Sequence, residues 1–142
     1  MWFQAALSRL RERVPGMRQI EGVSSLADAM RGVRVVPALY LVPLSEQGRE
    51  LAHTGALDQL VAVTFGVIFS LDSGRTAMGL DAVLALEGHR RQVRQALVGW
   101  VPDTDTGEPV VFAGGELLDL PADNRLWWAD DFQLTTYYRS NP

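Results

Sequence analysis

The strongest pattern in the chain is an alternation of large apolar and small residues in "QLVAVTFGVIFSL", residues 59–71. Successive side chains of a β-strand point to opposite faces, so this segment predicts a long strand with one row facing a core. The predicted core row contains Val61, Val63, Phe65, Val67, Phe69 and Leu71. The other row is small and only half polar, as is expected where a helix or a neighbouring subunit lies close.

Two segments repeat apolar residues every three to four positions, which predicts amphipathic helices. The N-terminal segment carries Phe3, Leu7, Leu10 and Val14, and Pro15 and Gly16 end it. The second segment starts at Asp81, the expected N-cap, and Pro102 ends it. Its apolar stripe contains Val83, Leu86, Val93, Leu97 and Trp100.

The other predicted elements are shorter. Ile20 marks a short strand, and a short helix capped by Ser24 or Ser25 ends near Gly32. Residues 35–44 predict a buried strand, and the polar residues 45–57 predict a loop. The last third predicts three strands, separated by a Gly-Gly turn and a Pro-Ala-Asp-Asn turn.

This order of elements predicts one α+β domain over residues 1–142. We expect a mixed or antiparallel sheet, with the N-terminal helix and the one long helix packed mainly on one face. A chain of 142 residues has room for one domain with a real core and little more.

The composition removes several classes of function. The chain has no cysteine, and all 13 of its basic residues are arginine, so thiol chemistry and lysine-based chemistry are excluded. A net charge of −4 argues against a general nucleic-acid binder. The first arginines follow the first apolar residues, the reverse of a signal peptide, and no segment is long enough to span a bilayer. We therefore expect a cytoplasmic product without membrane insertion.

No enzyme motif emerges from the chain. His53 and His89 have no placed catalytic partner, and Ser73 lies in no nucleophile elbow. Residues 103–108, "DTDTGE", open like a calcium loop but lack the required glycine and the final glutamate. We expect neither a metal nor a cofactor.

The most unusual stretch is "RLWWADDFQLTTYYR", residues 125–139. In a strand, Trp127 and Trp128 point to opposite faces, and so do Asp130 and Asp131, which therefore cannot share one metal ion. An outward tryptophan beside an aspartate is a typical interface anchor, which gives the hypothesis that one of the two tryptophans, with Asp130 or Asp131, contacts the next subunit or another component of a larger assembly. The alternative is that helices of the same chain cover both tryptophans.

Arginines form a second candidate contact. Arg90, Arg91 and Arg94 lie in the C-terminal half of the long helix, either as a solvated helix end or as a patch for an acidic partner. Arg75, in the turn "DSGRT", belongs to a loop that is a further candidate for contacts formed during assembly.

The blocks "ALYLVPL", "QLVAVTFGVIFSL", "ALEGHRRQVRQALVGWVP", "VFAGGELLDL" and "LWWADDFQLTTYY" together resemble the phage tail terminator family. The resemblance runs over nearly the whole chain and depends on the order and spacing of the blocks. It implies a small α+β structural protein of the virion that needs no cofactor and catalyses nothing.

The resemblance also implies particular partners. Tail terminators form a ring, usually of six copies, on the end of the tail tube, where the ring stops tube polymerisation and gives the head's neck a joining surface. The expected partners are thus other copies of the chain, the tail tube protein and a head-neck or connector protein, with DNA only as passing cargo. The expected location is the head-proximal end of the tail, after assembly in the host cytoplasm. Similar proteins serve siphophages, contractile phages and gene transfer agents.

Three other functions stay open at this point. A head-closure or head–tail joining protein would have a similar size and ring symmetry. A small hydrolase would require a deep polar pocket with perturbed titrating groups. A small-ligand binding module would require an enclosed apolar cavity near the tryptophans.

Overall fold

Three strands of 14 residues each form the centre of the molecule. The computed structural model describes residues 2–33, 35–51, 59–72, 79–118 and 124–138, without the side chains of residues 50 and 51. In chain order the elements are α1 (Trp2–Arg13), β1 (Gln19–Gly22), α2 (Leu26–Gly32), β2 (Ala38–Leu51), β3 (Gln59–Asp72), α3 (Leu80–Leu97), β4 (Val111–Leu117) and β5 (Arg125–Tyr138).

The sheet has the strand order β1-β2-β3-β5-β4. β1 and β2 are parallel and are joined through α2, whereas the β2–β3, β3–β5 and β4–β5 pairs are antiparallel. The described residues form a single α+β domain with a mixed sheet, which confirms the predicted fold class.

The larger core lies between the sheet and the helices α1 and α3. The alternation of β3 places Val63, Phe65, Val67, Phe69 and Leu71 on this side, as predicted. The helices contribute Leu10 of α1 and Val93 and Leu97 of α3. Burying each such side chain stabilises the fold by about 1.5–3 kcal/mol, so this interface dominates the stability of the domain.

A smaller core lies on the opposite face of the sheet, under α2. Ser25 caps α2 by accepting a hydrogen bond from the backbone N–H of Asp28, which confirms one of the two predicted caps. Ala29 of this short helix belongs to the same buried cluster as Tyr40, Ile68 and Trp127 of the sheet. α2 has only seven residues, so it leaves part of this face without a helix.

Three local predictions are wrong. Residues 45–51 continue β2 instead of forming a loop, because β3 is long enough to pair with them as far as Gln59. The Gly-Gly pair lies inside β4, so the last third holds two described strands and not three. The N-cap of α3 is Gly79, with a φ of 67°, and not Asp81. Residues 52–57, predicted as the rest of the loop, and 121–123, predicted as most of a turn, lie outside the described residues.

Candidate protein interface

Asp130 is the centre of a buried polar cluster between β5 and α3. Its side chain is 0% exposed, and Arg90 donates to it from Nε to Oδ2 and from Nη2 to Oδ1, both at 2.9 Å. Trp128 Nε1 donates to the same carboxylate at 2.8 Å. The Arg90 guanidinium also lies 4.5 Å from the centre of the Trp128 ring, within the range of a cation–π contact. These contacts satisfy the buried charge and connect α3 to β5.

Gly115 makes room for this cluster. A Cβ on Gly115 would overlap the Asp130 carboxylate and would lie 3.1 Å from both Arg90 Nη2 and Trp128 Nε1. At Gly114, by contrast, a Cβ would meet no atom within 4 Å. The Gly-Gly pair, which the sequence predicts to be a turn, thus serves the packing at one of its two positions.

The two tryptophans point to opposite faces of the sheet, as their alternation predicts. Trp127 is 2% exposed and packs in the smaller core, whereas Trp128 is partly buried under Arg90 against the larger core. Both therefore make contacts within their own chain. A contact of either tryptophan with another protein stays a prediction.

Asp131 points away from Asp130, onto the face that α2 covers only in part. Its carboxylate lies over Gly66, where a Cβ would be 3.6 Å from Asp131 Oδ1. Burial raises the pKa of Asp131, and the nearby charges of Glu116 and Asp130 raise it further. No described residue offers the side chain of Asp131 a hydrogen bond or an ion pair. The ionised form of Asp131 is therefore less favourable in the folded isolated chain than in the unfolded chain.

Arg91 and Arg94 differ from Arg90 in having no carboxylate within 4.0 Å among the described residues. Arg91 is exposed and Arg94 is half-buried. With 3.6 residues per helical turn, both lie on the solvent side of α3, next to the row of Arg90. Arg75 lies outside the described residues, so its predicted role stays a prediction.

The same side of α3 is unexpectedly apolar. Leu80, Val83 and Leu84 are 59%, 50% and 57% exposed, so the prediction that Val83 belongs to the buried stripe is wrong. Ala82 faces the core in place of Val83, next to Leu86, which is buried as predicted. We call Leu80, Val83, Leu84, Arg91 and Arg94 the α3 surface. Its apolar residues lie at the N-terminal end of α3 and its arginines lie further along the same side, and exposed apolar residues together with arginine are common in protein interfaces.

The edge strand β4 exposes further apolar residues. Val111, Phe112 and Leu117 are all exposed, and β4 pairs with β5 alone among the described strands. Of the nine large apolar residues that are exposed in the described part of the chain, seven belong to α3, its C-cap Val98 or β4. Exposed apolar side chains are thus concentrated on two elements, α3 with its C-cap and β4, which favours docking surfaces on these elements.

The sequence also indicates the α3 surface, although the three-to-four spacing of apolar residues in α3 does not. Between residues 80 and 86, only Asp81 is not apolar. Apolar positions that run round a whole helix exceed what one core-facing stripe requires, and they indicate a second buried side. The core has no room for Leu80 and Leu84, and their side chains are therefore exposed.

Other chemistry is sparse in the described residues. No group of three His, Asp or Glu side chains is placed to hold a metal ion there. Burial lowers the pKa of His89, whose ring packs near Gly16. An open groove of about 550 Å³ is lined by Trp2, Val61 and Tyr138 together with the carboxylates of Glu46 and Asp103. No described helix combines the length and hydropathy that crossing a bilayer requires.

Comparison with known proteins identifies the family. A search of curated proteins finds no match. The family model described as phage tail terminator protein matches residues 1–142, the whole chain. This family has a structural role in phage tails, which implies a place in the virion and association with other tail or head components. The chain belongs to the phage tail terminator protein family.

Proposed function

We propose that six copies of this chain form a closed ring on the head-proximal end of a phage tail tube. In this role the whole chain, residues 1–142, acts as one terminator domain. The ring stops tube polymerisation and gives the neck of the head its joining surface. The partners are other copies of the chain, the tail tube protein and a head-neck or connector protein, and the role requires no catalysis and no cofactor.

The single observation that carries this proposal is the match of the terminator family model over residues 1–142. The structure supports it through its surface. A subunit of a head-to-tail ring has two different contact surfaces, and a subunit on a tube has a third. The exposed apolar residues of α3 and β4 provide such contact area on a chain that fills its own core without them.

The charge of the chain suits a passage for DNA. Each copy carries a net charge of −4, so a ring of copies is acidic as a whole. DNA is held through phosphate contacts to basic residues, and an acidic ring would offer few of them. DNA would therefore pass through the ring as cargo without being retained.

The test is an in-frame deletion of the gene in the phage or prophage that carries it, followed by negative-stain electron microscopy of the particles. Tubes that grow beyond the normal length and carry no heads would support the terminator role. Restoration of normal particles by the wild-type gene supplied in trans is the control for effects on neighbouring genes.

Two results would contradict the proposal. Tails of normal length that are not attached to heads would indicate a head–tail joining protein instead. Intact, infectious particles would indicate that the chain is dispensable for tail completion.

A further inference from the structure

Part of the sheet face opposite α1 and α3 has no covering element among the described residues. α2 packs over Tyr40, Ile68 and Trp127, and the sheet beyond them carries Leu44, which is 51% exposed. A Cβ on Gly66 would lie 3.3 Å from Leu44 Cδ1, so the leucine leans over the glycine. The surface there, with a glycine beside an exposed leucine, is low and partly apolar.

Two carboxylates lie next to this uncovered part of the sheet. Asp131 lies over Gly66, and Glu116 lies exposed on the neighbouring strand β4, opposite Ala129. The two carboxylates are close enough for Glu116 to contribute to the raised pKa of Asp131. We call Leu44, Gly66, Glu116 and Asp131 the open sheet surface. It is apolar in part, negatively charged, and without a cation bound to Asp131 among the described residues.

The α3 surface has the complementary character. Its apolar residues Leu80, Val83 and Leu84 match an apolar sheet, and Arg91 and Arg94 match two carboxylates. Glu87 lies between these residues on the helix, so the two arginines of the α3 surface and Glu87 together leave one net positive charge there. The same chain therefore has an exposed helix side that is apolar and basic and a sheet face, uncovered among the described residues, that is partly apolar and acidic.

We propose that the α3 surface of one copy packs on the open sheet surface of the next copy, with Arg91 and Arg94 paired with Glu116 and Asp131. This inference depends on the proposed ring and names its subunit contact. The two surfaces lie on opposite sides of the sheet, because α3 packs on the Phe65 side and Asp131 points to the Gly66 side. A contact between two different surfaces is heterologous, which is the type that closes into a ring. It also gives the bare sheet the helix layer that a sheet face normally receives.

Charge reversal tests the pairing directly. One variant carries Arg91→Glu and Arg94→Glu, a second carries Glu116→Arg and Asp131→Arg, and a third carries all four changes. Mass photometry and sedimentation velocity measure the oligomeric state over a range of concentrations. We expect each double variant to weaken assembly more than about tenfold, because like charges then face each other, and the fourfold variant to return to within about threefold of the wild type.

A matched control separates this contact from a general effect of charge. Arg13 and Arg18 are exposed and lie outside both surfaces, so Arg13→Glu with Arg18→Glu changes the net charge by the same amount as the first variant. This control should assemble like the wild type. Equal loss of assembly in the control and the Arg91/Arg94 variant would overturn the proposed pairing.

Asp131→Asn gives a second, independent readout. Since ionisation of Asp131 is less favourable in the folded chain than in the unfolded chain, the change should raise the melting temperature of the monomer at neutral pH. The same change removes one proposed ion pair, so assembly should weaken by about fivefold or more. A residue with only a structural role would shift both properties in the same direction, and that result would overturn the proposal.

The failure of this inference is distinguishable from the failure of the proposed function. A wild-type ring that all three charge variants leave unchanged would overturn this contact and leave the ring intact. A wild-type chain that stays monomeric at every concentration would overturn the copy-to-copy contact. The terminator role is tested separately, by the tail length of particles from the gene deletion.

Discussion

The carboxylate of Asp130 occupies the space in which a side chain on Gly115 would lie. Gly115 and Asp130 are direct partners in the β4–β5 ladder, so the glycine leaves a recess at the sheet edge. Asp130 fills the recess and there meets Arg90 and the Trp128 indole. A small residue in an edge strand thus permits a buried ion pair between sheet and helix.

Replacing Gly115 with alanine should destabilise the fold by about 1–3 kcal/mol, the usual cost of overpacking. The added methyl group would displace the Asp130 carboxylate from the N–H groups of Arg90 and Trp128 that donate to it. Gly114→Ala is the matched control, because its Cβ would meet no atom within 4 Å. Urea unfolding at pH 7 measures both variants, and equal midpoints would contradict the packing described for Gly115.

Arg90→Ala should cost about 3–5 kcal/mol of unfolding free energy, because it leaves a fully buried carboxylate without its cation. Arg18→Ala, at an exposed arginine, should stay within about 0.5 kcal/mol of the wild type. Chemical denaturation measures the two changes. A small effect at Arg90 would mean that the Trp128 hydrogen bond alone satisfies Asp130.

Tyr40 provides a prediction at alkaline pH. Burial raises the pKa of Tyr40 to about 12, and its hydroxyl has no described hydrogen-bond partner. Below a pH of about 10 the hydroxyl is protonated in both states, and its contribution to stability is complete. As the pH rises from about 10 to about 12, the unfolded chain releases this proton more readily, so the stability of the wild type falls.

Tyr40→Phe should lose less stability over this pH range than the wild type does. At pH 7 its stability should equal or exceed that of the wild type by up to about 1 kcal/mol, since it removes an unpaired buried hydroxyl. The exposed Tyr138→Phe is the control and should follow the wild-type curve. Identical alkaline unfolding of the Tyr40 variant and the wild type would contradict the raised pKa.

Glu87→Gln should strengthen assembly if the α3 surface packs on the open sheet surface. The change removes a negative charge that would face Glu116 and Asp131 of the next copy, and we expect the dissociation constant to fall about threefold. Glu12→Gln on α1 makes the same change outside both surfaces and should have no effect. Sedimentation equilibrium compares the three proteins, and weaker assembly of the Glu87 variant would contradict the proposed contact.

The sequence predicts the parts of this fold in which the residue pattern of a single element is enough to define that element. The alternation of β3 and the period of α1 are long and regular, so their buried residues follow from the pattern. Residues 45–51 and the Gly-Gly pair depend instead on the strands beside them. Residues 45–51 are in a strand because they pair with β3. A glycine is required at position 115 because the Asp130 carboxylate, across the ladder, occupies the space of a side chain there.

The candidate interface, too, could be predicted only where it depends on a single element. The opposite directions of Trp127 and Trp128 follow from strand geometry, and so do those of Asp130 and Asp131. That Arg90 pairs with Asp130 while Arg91 stays exposed depends on where α3 lies over the sheet. A single sequence cannot give that position, because it is set by packing between elements far apart in the chain.

The β3–β5 pair also has a mechanical consequence. The two strands are paired in unbroken register over their full length, from Gln59 opposite Tyr138 to Asp72 opposite Arg125. Their hydrogen bonds run across the strands, so a pull along the strand direction loads all of them in shear at once. The bulged β2–β3 and β4–β5 pairs share such a load less evenly. The middle of the sheet is therefore the part of the domain best built to bear tension.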